Sequence, residues 1–131
     1  MDIFETFATD EKLEVEGAWF PLSKTVKVLV ARSGNENYID TLRRKLDASG
    51  IDLTSKAKED EDAAEAVFID VMAETLLLGW QGITSKGEPV AYSKDAARAY
   101  LAVKDFRKKV VAFSETFEAF RVKAEKQLGN G

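Results

Sequence analysis

The sequence predicts a mainly α (α+β) fold, with three or four helices and a small N-terminal antiparallel β-hairpin or three-stranded sheet. Three observations predict it. Apolar residues recur at steps of three and four over two long stretches, 64–79 and 96–128. A Val-rich segment at 25–33, TVKVLVARS, alternates with period two instead, and the glycines and prolines gather in the stretches outside the helical runs. A chain of 131 residues, 45% apolar and 32% charged, carries enough apolar material for one core. It reads as a single domain, β-rich over about 11–33 and helical over 35–128, with loops at 49–58 and 79–92.

Residues 13–16, LEVE, alternate apolar with acidic, and AWFPLS follows Gly17 with aromatic side chains suited to a strand, so the pair predicts a hairpin. Pro21 cannot donate to a ladder, which places its strand at an edge or end there. Val26, Val28 and Val30 mark a third strand. Ser33 and Glu36 have the spacing of a capping box ahead of Tyr38, Ile39, Leu42 and Leu46, predicting a helix over about 35–48 that Ser49 and Gly50 stop. The polar stretch IDLTSKAKEDED leads into the next helix. There Ala64, Val67, Phe68, Val71, Met72, Thr75, Leu76 and Gly79 make one seam, and Ile69, Ala73 and Leu77 widen it into the arc of a central, surrounded helix. Glu59 to Asp62 complement the positive end of that helix.

The segment TLLLGWQGITSKGEPVAYS at 75–93 is the sharpest local signal. Gly79 or Gly82 is expected to end the central helix, Lys86-Gly87 to turn tightly, and Glu88 to Tyr92 to run extended after the restriction that Pro89 imposes. Ser93 caps the last helix, and Trp80 and Tyr92 pin the corner. From Ala96 to Leu128 no proline or glycine intervenes, so helix is expected throughout, as one piece or as two joined near Lys104 and Asp105.

Composition restricts the chemistry. The chain has no histidine and no cysteine, which removes the imidazole base, the thiol nucleophile, the serine triad and the usual zinc ligand sets, so no catalytic, cofactor-binding or metal-binding residue is assigned. Gly82 and Gly87 have the glycine spacing of a phosphate loop, but Glu88 and Pro89 stand where Lys and Ser or Thr are needed. The segment is therefore read as a structural corner made by Gly79, Trp80, Gly82, Gly87, Pro89, Tyr92 and Ser93. The acidic run 59–62 lacks the alternating ligands of a calcium loop and reads as a solvated helix start. A net charge of −4 argues against a general polyanion binder. The clusters Arg43-Arg44-Lys45 and Lys104/Arg107/Lys108/Lys109 leave a small nucleic-acid-binding regulator as the alternative function. An enzyme built on paired carboxylates ranks below it. The first thirty residues do not read as a secretory signal, and no run approaches the roughly 20 apolar residues of a membrane span; cytoplasm is the expected location. The seam Phe106, Phe113, Phe117 and Phe120 needs a partner. For Phe106 and Phe113 the expected partner is the chain's own core, and for Phe117 and Phe120 core and interface weigh equally; Phe113, Phe117 and Phe120 are the candidate protein-binding or oligomer face.

The order GAWFPL, Val-rich strand, NENYIDTLRRKL, LLGWQGI, KGEPVAYS and AYLAVKDFRKKVVAF resembles the tail assembly chaperones of long-tailed, non-contractile bacteriophages. The resemblance covers Leu13 to about Phe120, and its most specific part is GWQGITSKGEPVAYS. It implies a non-enzymatic protein that binds and solubilises the tape measure protein and helps recruit tail tube subunits. It also implies a protein of the infected host's cytoplasm that is absent from the mature virion; the homo-oligomer is expected from the phenylalanine seam instead. In that family a frameshift often yields two lengths of product, and the ending KQLGNG fits the shorter.

Overall fold

A computed structural model describes residues 1–122. Among them are six helices: α1 (Ile3–Thr6), α2 (Glu11–Glu16), α3 (Glu36–Ser49), α4 (Lys58–Thr75), α5 (Lys94–Leu101) and α6 (Lys104–Ser114). Five strands accompany them: β1 (Ala18–Pro21), β2 (Lys27–Val30), β3 (Leu77–Gln81), β4 (Thr84–Ser85) and β5 (Glu88–Pro89). The first three form an antiparallel sheet in the order β1-β2-β3, and β4 pairs with β5 in a separate ribbon. The fold is therefore mixed, with more and shorter helices than the sequence predicts, and its sheet is not confined to the N-terminal part.

Three expectations change for identifiable reasons. LEVE is helical, because the Asp10 carboxylate accepts from the Leu13 N–H at 3.1 Å and caps α2, with Glu11 and Glu14 in the first turn. Two alternations cannot outweigh a satisfied cap. Ser33 does not cap α3; Asn35 does, its Oδ1 accepting from the Tyr38 N–H at 3.1 Å while its amide donates to the Arg32 carbonyl at 2.7 Å. Finally, α4 ends at Thr75, and Leu77–Gln81 leaves the helical period to join β2. Gly79 thus lies inside a strand and does not end a helix, and a free edge beside Val28 and Val30 outcompetes the local periodicity. Only the last turns of α4 are buried, through Val71, Met72, Ala73 and Thr75, so it is not surrounded along its length.

Other expectations hold. β1 is an edge strand with Pro21 at its end. Gly50 ends α3 in the left-handed conformation at φ 64°. Ser93 caps α5 by accepting from the Ala96 N–H at 3.0 Å. The helix beyond Ser93 is in two pieces, broken at Ala102 and Val103, but the expectation of helix throughout fails after Ser114: residues 115–122 form turns and an isolated bridge, because Phe120 turns into the core and Thr9 bridges Arg121. The expectation of helix to 128 lies, beyond Val122, outside the described residues.

One face of the sheet carries Phe20, Val28, Val30, Leu77 and Trp80, all buried. A register shift makes this possible: Leu29 pairs with Gly79 and Val30 with Leu77, so Leu78 is an extra residue and both Leu77 and Trp80 turn inward. Met72 from α4, Leu76 just after it, Leu101 from α5, Val110 from α6 and Phe120 close the core. Burying one such side chain is worth roughly 1.5–3 kcal/mol.

Candidate protein-binding face

The corner of the sequence analysis is built in detail. Gly82, at φ 90°, passes so close to the Thr25 carbonyl that a Cβ would overlap it, which seats the exit of β3 on the β1–β2 turn. Lys86 (φ 51°) and Gly87 (φ 81°) make the tight turn between β4 and β5. Trp80 Nε1–H donates to the Val90 carbonyl at 2.8 Å, and the Tyr92 hydroxyl donates to the Leu77 carbonyl at 2.8 Å. The two rings meet edge to face with centroids 5.0 Å apart. Burial raises the Tyr92 pKa, which keeps that hydroxyl a donor. The corner is rigid because each bulky ring has both an apolar body in the core and a satisfied polar tip.

The three phenylalanines do not share one surface. Phe120 is fully buried, 6.1 Å from Phe20 by ring centroids. Phe113 stacks on Phe20 at 4.7 Å, and Phe117 lies against Phe7 at 5.4 Å. Phe120 therefore belongs to the chain's own core and offers no open face, whereas Phe117 with half-exposed Phe7 retains one. Phe106 packs near Tyr100, with centroids 6.3 Å apart.

The basic clusters are partly consumed internally. Lys45 Nζ pairs with Asp70 at 2.7 Å and Glu74 at 3.2 Å, and Arg98 Nε meets the other Asp70 oxygen at 2.6 Å. This network joins α3, α4 and α5. The hydrogen bond from Lys45, then that from Arg98, holds the Asp70 carboxyl below its ordinary range, and the bond to Asp70 raises both Lys45 and Arg98. Arg107 donates to the Leu101 carbonyl at 2.8 Å and pairs with Glu65 at 3.6 Å. Arg43 and Arg44 are exposed, but Asp40 and Asp47 line the same shallow depression. Glu59, Asp60 and Glu61 lie in the first turn of α4 and Asp62 follows, with Glu59, Glu61 and Asp62 exposed.

A groove of about 440 Å³ was not foreseen from the sequence. Leu22 and Val26 from the β1–β2 turn, Ile83 after β3, and Tyr100, Val103 and Phe106 around the α5–α6 junction line it, and no Lys, Arg, Asp or Glu does. Val103 is 56% exposed. A second depression of about 320 Å³ shares Thr25 and Val26 with it and is lined by Lys24 and Lys27 without a carboxylate. These residues come from three distant segments, so no local pattern announces them; the only hint is Val103, an apolar residue at the break between two helices.

Residues 33–130 match the family described as YdaY prophage protein. The chain belongs to this family. It is a phage-derived protein, and the YdaY prophage protein match spans α3 to α6 with β3, β4 and β5, leaving β1 and β2 before it. One wall of the groove, from Leu22 to Val26, thus lies outside the span that defines the YdaY family, while the walls from Ile83 to Phe106 lie inside. No curated protein and no solved structure matches the chain.

Proposed function

We propose that this protein is a non-enzymatic tail assembly chaperone, which binds and solubilises the tape measure protein and helps recruit tail tube subunits. The observation that carries the reading is the open apolar groove at the α5–α6 junction, a surface suited to covering an apolar helical stretch of a client before assembly. Its membership in a prophage family and the ordered resemblance from GAWFPL to AYLAVKDFRKKVVAF support the same role. Self-association would multiply weak contacts along an extended client. The role places the protein in the cytoplasm of the infected host and outside the finished virion; no helix among the described residues is long and apolar enough to cross a membrane.

Co-expression with segments of the tape measure protein from the same phage tests the reading. The expected result is a soluble, co-purifying client; a client that stays insoluble and retains none of this protein would overturn it. A nucleic-acid regulator draws less support, since Lys45 and Arg107 are already paired with carboxylates of the same chain.

A further inference from the structure

The geometry points to a docking site for an acidic amphipathic protein segment, in which the apolar groove takes a large apolar side chain and the adjoining depression takes a neighbouring carboxylate. The inference deepens the chaperone reading, on whose protein-binding role it rests, by fixing the surface and the chemistry of the segment it accepts.

Charge complementarity selects the occupant. The groove contains no ionisable side chain except the Tyr100 phenol, so it accepts an apolar group. The depression next to it presents Lys24 and Lys27 across the shared wall of Thr25 and Val26. Lys24 is exposed and has no ion-pair partner among the described residues, and Lys27 rests its ammonium 4.8 Å from the Trp19 ring without a carboxylate. Next to the groove-lining Val103 in the chain stands the exposed Lys104, the first residue of α6, where no side chain caps the helix. Asp105, also exposed, is the acidic residue that follows it. In a chain of net charge −4, an apolar groove with unpaired lysines beside it favours a segment bearing Asp or Glu next to Leu, Phe or Trp. A basic segment would meet like charge.

The test uses the full chain, immobilised and panned against a random dodecapeptide library, with recovered peptides measured by fluorescence anisotropy. The expected consensus combines carboxylates with large apolar residues. Val103→Asp should weaken binding of those peptides by about tenfold or more, and Lys24→Glu with Lys27→Glu by about tenfold, the latter loss shrinking as salt rises. Val103, Lys24 and Lys27 are exposed, and Asp at position 103 would cap α6, so these variants are expected to melt no lower than the parent. A neutral or basic consensus, failure to recover any peptide, or peptides indifferent to both variants would overturn the inference. Co-expression with the tape measure client separates the two readings: a Val103→Asp protein that still solubilises it removes the groove and spares the chaperone, whereas a parent protein that fails removes the chaperone.

Discussion

Individual residues differ sharply in what they tolerate. Gly82 and Gly87 both have positive φ, but only Gly82 faces a backbone oxygen where a side chain would stand; around Gly87 there is open space. Gly87→Ala should therefore cost about 1 kcal/mol, the left-handed penalty alone. Gly82→Ala should cost clearly more, about 2 kcal/mol or above, because strain and overlap add. Equal losses in chemical denaturation would contradict the close approach to Thr25. Phe120→Ala should cost about 3–5 kcal/mol, as expected of a fully buried ring, and Phe117→Ala about 1 kcal/mol. The reverse order would return Phe120 to the surface. Sequence periodicity placed Phe120 on a seam but could not tell core from interface. That distinction depends on Phe20, a residue far away in the chain whose ring lies 6.1 Å from it.

The helices and strands show where local signals suffice. The end of α3 at Gly50, the cap of α5 at Ser93 and the Lys86-Gly87 turn were legible because neighbouring atoms decide each of them. Leu77–Gln81 was not, because its conformation is settled by β2, and the periodicity of α4 runs through it without a break. The groove was illegible for the same reason, its walls being three segments that only the fold brings together. Between helices, Asp70 ties α3 to α5 through Lys45 and Arg98, and this makes a pH prediction. A carboxylate whose folded pKa is depressed contributes stability above the ordinary Asp range, lost as pH falls through that depressed value. Raised Lys45 and Arg98 contribute fully below their ordinary values, a contribution lost only when pH rises through the raised ones. The network is thus intact across neutral pH. Asp70→Asn should lower stability at pH 7 by about 1–2 kcal/mol, since the partners are partly exposed, and the difference should vanish in strong acid. A pH-independent difference between the two melting curves would show that Asp70 acts through packing instead.

For the whole molecule, the ends of the described chain meet. The Asp10 N–H donates to the Phe120 carbonyl at 2.8 Å and the Val122 N–H to the Ala8 carbonyl at 3.0 Å, and Thr9 bridges Arg121. Phe120 fills the centre of a core whose opposite wall, Phe20, was made a hundred residues earlier. During translation, the growing chain therefore cannot close its core until Phe120 has cleared the ribosome, and at roughly 5–20 residues per second it spends seconds with Phe20, Val28 and Trp80 uncovered. Ribosome-stalled chains ending shortly after Ser114 should be cut rapidly by protease, and those with Phe120 well outside the tunnel should resist. In this molecule, closing the core is a step that waits for Phe120 to emerge.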